Sequence, residues 1–593
     1  MSTYGRLKLD PSQLKDWQIA EKAEEQMKPI TKIAADWGIE YDELLLQGHY
    51  VAKIDYTKLL ARLSGRKLGK YIDVTAITPT PLGEGKSTTT IGLVQGLGYI
   101  GKKVSAAIRQ PSGGPTFNIK GSAAGGGLSQ CIPLAPFSLG LTGDIDNICN
   151  AHNLAMVALT SRLQHEYNYT DEFLATRNLK RLDIDIDAPM LRWVIDFCAQ
   201  SLRNIIIGIG DRNDGFMIKS GFDIAVSSEL MAILAIFKDL PDLRERIGKI
   251  VVAKNKKGAD ITTEDLDVAG AMTAWMLKAA SPNLMQTIEG QPVLVHAGPF
   301  ANIAVGQSSI IADRIGLLLS DYHVTESGFG ADIGFEKFWN IKCRLSGLKP
   351  DCVVIVATVR ALKMHGGGPE VRPGKPLDKA YTEENPELVR LGCSNLLKHI
   401  DTVKKAGVSP VVCINSFYTD TQTEIEVIKK AAIDAGARVA VSEHWLKGGE
   451  GAVELAHTVA QACSDHNNFN FLYSDTASFK ERIGLIAKEV YGAGSVSYSP
   501  EALAKVAELE RDSLNLKMPV CMVKTHLSLS ADPNLKGRPQ GFNIPVRDIL
   551  VYKGAGFVVP VAGDIKLMPG TASDPAFRRI DVDIQTGQVK GLF

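Results

Sequence analysis

A chain of 593 residues is longer than one hydrophobic core usually serves, so roughly two to four packed units are expected. Its 45% hydrophobic and 22% charged content is that of a soluble globular protein, and Lys plus Arg balances Asp plus Glu at 66 each, which argues against a nucleic-acid partner. No apolar stretch approaches the roughly 20 residues of a membrane span, and Met1–Asp10 lacks a signal-like apolar core. Nine scattered cysteines without a Cys-x-x-Cys pair suit reduced thiols, so the expected location is cytoplasmic, with no membrane partner.

Apolar residues at helical spacing predict helices over Gln13–Met27 and Ile30–Trp37. A β-branched run, Tyr71–Thr78, then ends in a Pro/Gly loop, followed by a helical stretch Ser87–Ile100 and a strand Lys103–Ile108. Strand, glycine loop, helix and strand make the βαβ unit of a parallel sheet. Buried-strand runs recur at Asn204–Gly210, Pro292–His296, Cys352–Thr358, Val408–Ile414 and Ala437–Ser442, with helices such as Leu388–Lys405 and Thr421–Ala435 between them. From about Tyr498 the pattern changes to one helix, Glu501–Leu514, and short strands such as Gly556–Val561 and Ile580–Ile584. The expected class is α/β: a parallel-sheet, P-loop NTPase-like main domain over 1–370, an α/β domain over 371–497 and a small C-terminal unit over 498–593.

The loop Thr80, Pro81, Leu82, Gly83, Glu84, Gly85, Lys86 and Ser87 leaves a strand and opens a helix. Its end matches a Walker-type phosphate loop, although Thr80 stands where the first glycine usually is. Backbone N–H groups and the positive end of the helix would face the phosphates, Lys86 would add a point charge, and Ser87 would hold Mg²⁺ through ATP.

Around this loop, Ile77–Ser87 is similar to the signature of the formate–tetrahydrofolate ligase family. The resemblance continues through Arg109-Gln-Pro-Ser112, Lys120–Gly127, Thr142-Gly-Asp144, His296–Ala304, Gly328–Asp332, Val359–Gly367, Trp445–Gly451, Met518–Met522 and Lys590–Phe593. Among family versions, these motifs look most like the one fused at the end of eukaryotic one-carbon enzymes. What the resemblance implies is an ATP-dependent carbon–nitrogen ligase in which formate takes the γ-phosphoryl group of MgATP and tetrahydrofolate then takes the formyl group. It implies that Lys86 and Arg109 are catalytic, Arg109 binding formyl phosphate, and that Phe417 and Trp445 hold the pterin ring. Formate, tetrahydrofolate and ATP would be the small-molecule partners, with Mg²⁺ and a monovalent cation as ions to test for. The family's habit is a homo-oligomer, often a tetramer. Read from the residues alone, Asn415 and Asp420 suit nucleotide-base recognition or ordinary turn and helix capping, with Asp420 as the cap of the helix from Thr421.

The chain departs from the family at several neighbouring positions. Leu128 replaces a tyrosine, Ala135 and Pro136 replace acids, Gly140 and Asp146 replace histidines, Cys149 a threonine and His152 an asparagine. Ile218 replaces an arginine and Val305 a histidine. So many changes beside matched motifs predict a reshaped acyl pocket. The alternatives to the formate ligase are a ligase for another acid or acceptor and a non-catalytic ATP-binding regulatory protein.

Overall fold

The computed structural model describes residues 9–116, 123–301, 304–372, 374–563 and 566–592. Lys120, Gly121 and Ser122 of the glycine-rich motif, Asn302, Ile303 and the terminal Phe593 lie outside the described residues.

Among the described residues, twelve strands form one sheet. They are β1 (Leu44–Leu46), β2 (Ala52–Ile54), β3 (Lys70–Ala76), β4 (Val104–Ile108), β5 (Gly125–Gly126), β6 (Ser129–Ile132), β7 (Asn283–Thr287), β8 (Pro292–Val295), β9 (Tyr322–Glu326), β10 (Cys352–Ala357), β11 (Ser409–Asn415) and β12 (Arg438–Ser442). The order is β1-β2-β7-β8-β4-β9-β3-β10-β11-β12, with β6 also on β7 and β5 on β6. From β8 to β12 every pairing is parallel, and β1, β2, β5, β6 and β7 pair antiparallel. The architecture is therefore α/β with a large, mostly parallel sheet. Strands β4, β10 and the inner residues of β3 and β11 are buried throughout, as a sheet covered on both faces requires.

Among the helices are α1 (Lys86–Tyr99), α2 (Asp144–Asn168), α3 (Val359–His365) and α4 (Gln422–Asp434). The chain passes from β3 through α1 to β4, two places away; β9 later fills the gap and β10 joins the other side of β3. Such a reversal of strand order is where open α/β sheets bind ligands, at the carboxyl ends of the strands, here those around β3. β11 and β12 extend the same sheet, so the segment 371–497 shares it with the segment before. The tail holds a helix Pro500–Leu509, shorter than expected, the pair Asp548–Tyr552 with Phe557–Val561, and the pair Asp581–Val582 with Val589–Lys590.

Two expectations change. The run 204–210 is not a strand of the parallel sheet: Ile205–Ile207 pairs with Ile218–Ser220 in a separate hairpin, and Ile206 is 61% exposed. Three consecutive isoleucines resemble a buried strand because a short apolar run carries no periodicity that tells it from a surface hairpin. Conversely β9, Tyr-His-Val-Thr-Glu, is central, yet its polar residues hide it from a hydrophobicity reading. His323, Thr325 and Glu326 are all buried and bonded: His323 pairs with Ser105 Oγ at 2.9 Å and Asp313 at 3.3 Å, and Thr325 Oγ1 donates to Ala107 O at 3.3 Å. Buried polar groups are tolerated when paired.

Candidate active site

The loop after β3 is held by its own glutamate. Glu84, 1% exposed, accepts the Thr80 N–H at 2.6 Å through Oε1 and the Thr358 hydroxyl through Oε2. Gly83 N–H donates to Thr80 O at 3.0 Å, and Arg360 Nη2 donates to Gly83 O at 2.9 Å. Asn415 Nδ2 donates to Glu84 O at 3.2 Å. Glycine is needed at 85 on two counts: φ is +72°, and a Cβ there would lie 2.6 Å from Asn415 Nδ2. The loop thus delivers Lys86 and Ser87, both half-buried, to the first turn of α1, where N–H groups without an intrahelical acceptor and the helix dipole favour an anion.

Beside it, the end of β9 supplies a residue that sequence reading missed. Glu326, 1% exposed, accepts Ser87 Oγ at 2.7 Å through Oε2, and its Oε1 lies 3.7 Å from Arg109 Nε at the end of β4. Neither Oε1 nor Arg109 Nε has a hydrogen-bond partner, so a buried acceptor and a buried donor face each other slightly beyond bonding range. Gly328 keeps the space next to Arg109 open, since a Cβ there would sit 3.3 Å from its Nη1. An acid closing a strand and followed by a Ser-Gly-Phe-Gly turn was the available signal. Further along, Asp196 accepts the Ser112 hydroxyl and the Gly113 N–H at 2.7 Å, and burial raises its carboxyl above the usual range.

Phe417 and Trp445 follow the adjacent strands β11 and β12, so they leave the same sheet edge as Lys86 and Arg109. Asp420 does not cap α4; Thr421 does, accepting the Glu424 N–H in a capping box. Asp420 instead accepts the Phe417 N–H at 2.9 Å while its own N–H donates to Phe417 O at 3.0 Å, and burial lifts its carboxyl to about 6. Trp445 rests on the glycine turn after β5: Leu128 N–H donates to Trp445 O at 2.8 Å, and a Cβ on Gly127 would lie 2.8 Å from the indole. The neighbouring His444 presses on α1, where a Cβ on Gly92 would come within 2.5 Å of it. Gly92 thus lets the segment that carries Trp445 lie close against α1.

The profile of the formate–tetrahydrofolate ligase family matches residues 14–593. The chain belongs to the formate–tetrahydrofolate ligase family. It is similar to proteins named formate–tetrahydrofolate ligase from Dehalococcoides mccartyi strain CBDB1, 68% identical over 585 residues (99% of this chain, 98% of the relative). The same name is carried by relatives from Desulforapulum autotrophicum, 65% over 589 residues (99% and 100%), and Thermodesulfovibrio yellowstonii, 60% over 586 residues (98% and 100%). These relatives are matched over nearly their whole length, so each is a chain of about this size.

Within this formate–tetrahydrofolate ligase family member the departures do not all gather in one pocket. Val305 is 0% exposed in the apolar cluster that also holds Leu294, Ala297 and Ile310. His152 is a buried pin, Nδ1 to Ser228 Oγ at 2.8 Å and Nε2 to Arg192 O at 2.7 Å, and burial lowers its pKa to about 4. Ala135 lines a cleft with Trp17, Glu24 and Tyr50, whereas Ile218 lines a different one with Met156 and Arg192. Asp146 is exposed in the first turn of α2, where the helix dipole favours an acid. Gly140 has φ +87° with open space around it, and Leu128 sits at the Trp445 turn. Positions close in sequence are thus spread over loop, helix and core, although Asp146 and Cys149 both lie near enough to act on Asp196, which holds Ser112 and Gly113 just beyond Arg109. The Thr142-Gly-Asp144 motif is likewise a structural lock: Asp144 pairs with Lys53 at 2.8 Å, both buried, and accepts from Asn283 Nδ2 at 2.8 Å.

Proposed function

We propose that this protein is an ATP-dependent carbon–nitrogen ligase that joins formate to tetrahydrofolate, giving 10-formyltetrahydrofolate, ADP and phosphate. The observation that carries this reading is the convergence of the Thr80–Ser87 loop, Arg109, Phe417 and Trp445 on one sheet edge in a member of this family. A P-loop role for residues 80–87 is supported by the strand–loop–helix context and the left-handed glycines.

In the first step a formate oxygen attacks the γ-phosphorus, the bond to the β,γ-bridging oxygen breaks, and ADP leaves. Charge spreads over the phosphoryl oxygens, which Lys86 and the N–H groups opening α1 are suited to offset. Mg²⁺ bound with the nucleotide would neutralise the same oxygens, and Ser87 with Glu326 fit it, since Glu326 Oε1 is a buried acceptor without a partner. Arg109 would then hold formyl phosphate by its planar fork of donors. In the second step N10 of tetrahydrofolate attacks the formyl carbon, the carbon–oxygen bond to phosphate breaks, and the N10 proton is lost to phosphate or solvent. Phe417 and Trp445 would stack on the pterin and aim N10 at the acyl group.

The test is a product assay with ATP, formate and tetrahydrofolate, reading 10-formyltetrahydrofolate and ADP together. Equal amounts of the two are expected. Binding of ATP and tetrahydrofolate without either product would overturn the reading in favour of a non-catalytic nucleotide-binding protein.

A further inference from the structure

Two side chains tie the phosphate loop to the loop carrying Phe417, and neither takes part in the two steps of the reaction. Arg360, in the first turn of α3, donates from Nη2 to Gly83 O at 2.9 Å while its guanidinium stands 5.5 Å over the Phe417 ring. Asn415, the last residue of β11, donates to Glu84 O at 3.2 Å and stands two residues before Phe417. Both bonds end on consecutive backbone carbonyls of the phosphate loop. Their direction is fixed by that loop: Gly83 has φ +80° and its N–H is spent on Thr80 O, while the Glu84 side chain is locked by Thr80 and Thr358.

The other end is equally constrained. Asp420 closes the Phe417 turn through the Phe417 N–H at 2.9 Å, and the Arg360 charge acts on the Asp420 carboxylate. Arg360 Nε is buried without a partner, a costly state that packing alone gives no reason to keep. A cation over an aromatic face is attracted by the ring quadrupole, so fixing the guanidinium favours one pose of the ring. Movement of the Gly83–Glu84 peptide therefore has to be felt at Phe417 through Arg360 and Asn415.

We propose that Arg360 is the positioning residue through which occupation of the phosphate loop sets the pose of Phe417 and so the affinity for tetrahydrofolate, with Asn415 as a second tie. The inference rests on the assignment of Phe417 to the pterin. Phosphates bound on the loop would hold Gly83 O more firmly, Arg360 would then hold the ring in place, and the pterin would bear less of the cost of ordering it. By linkage the effect is reciprocal: tetrahydrofolate must tighten nucleotide binding by the same factor.

Calorimetry on the full chain tests this with tetrahydrofolate titrated in the presence and absence of a non-hydrolysable ATP analogue and Mg²⁺. The wild type is expected to bind tetrahydrofolate about fivefold or more tighter with the analogue, the low end of typical coupling. In R360Q that ratio falls to about one, and R360K, which keeps a cation able to reach Gly83 O, holds an intermediate value. A residue with only a structural role would weaken both titrations alike and leave the ratio unchanged. A wild-type ratio of one, or the full wild-type ratio in R360Q, overturns the proposal; if R360Q fails to fold, the same comparison is read in R360K, where the full ratio overturns it. F417A separates the two layers. If it leaves tetrahydrofolate affinity intact the pterin assignment fails and this inference with it, whereas weakened binding in F417A beside a full ratio in R360Q defeats the inference alone.

Discussion

Replacing Glu84 with alanine should cripple nucleotide binding without unfolding the sheet. The carboxylate is buried and makes two bonds, to the Thr80 N–H at 2.6 Å and to the Thr358 hydroxyl. Alanine would strand both donors inside the loop, at about 1–3 kcal/mol each, or about 2–4 kcal/mol in all once some water enters. At about 1.4 kcal/mol per tenfold, that is roughly 30- to 1,000-fold in the population of the ordered loop. Because β3 and α1 pack on either side through apolar contacts, the loss should appear in the Kd of an ATP analogue, measured by calorimetry, and only weakly in the Tm. Glutamine keeps an acceptor for Thr80 and can donate to Thr358, whose hydroxyl turns to accept, so E84Q should stay within about tenfold of the wild type. If E84A binds the analogue within about threefold of the parent, the loop does not depend on this buckle and the reasoning is refuted.

Lys86→Ala should fold normally and lose turnover, since it removes the cation at the mouth of α1; product formation within a few-fold of the parent would take Lys86 out of the reaction. Phe417→Ala and Trp445→Ala should each weaken tetrahydrofolate by about 1–3 kcal/mol, the scale of lost base-stacking platforms, with ATP affinity little changed; calorimetry decides. His152, His296, His365, His399 and His444 are buried with pKa values lowered to about 4. Unfolded histidine titrates near 6.5, so between pH 6.5 and 4 the unfolded chain binds more protons and stability, full above 6.5, falls with pH by up to about 3 kcal/mol per histidine. A Tm flat from pH 7 to 4.5 would contradict that burial. Val305→His inserts an imidazole into an apolar cluster at a cost of about 2–5 kcal/mol from overpacking and an unpaired polar group, so it should lower the Tm and bring no gain with formate; a gain in formate turnover at unchanged Tm would place position 305 in the acyl site after all.

Much of the proposed nucleotide side was legible because its signals are local. Glycines at 83 and 85, a β-branched strand before them and a helix after them are adjacent in sequence, and the structure realises that order with α1 one residue earlier than expected. The helix Ile30–Trp37 and the strands β4, β8, β10, β11 and β12 were readable for the same reason. Glu326 was not, because its meaning depends on two distant partners. A glutamate in Tyr-His-Val-Thr-Glu reads as solvent-facing until Ser87 and Arg109 are brought to it by a strand that enters the sheet between β3 and β4. Topology, not periodicity, supplies that information.

The departures do not all converge, for a related reason, and it bears on how such patterns should be weighed. Gly140, Asp146, Cys149 and His152 span little more than three helical turns of sequence, so they look like one site. The fold puts Gly140 in a left-handed turn, Asp146 at the solvent end of α2 and His152 on its buried face against Ser228. A helix turns 100° per residue, so neighbours on it serve opposite environments. A polar residue lost from the core face is compensated by packing, as Val305 is by its apolar surroundings, while a polar residue gained there is kept only where partners wait, as they do for His152. The residues proposed to act on ligand obey a stricter rule: Lys86, Arg109, Glu326, Phe417 and Trp445 all leave the carboxyl ends of parallel strands or the loops just beyond them. Position along the strand therefore separates chemistry from packing where residue type and sequence proximity do not.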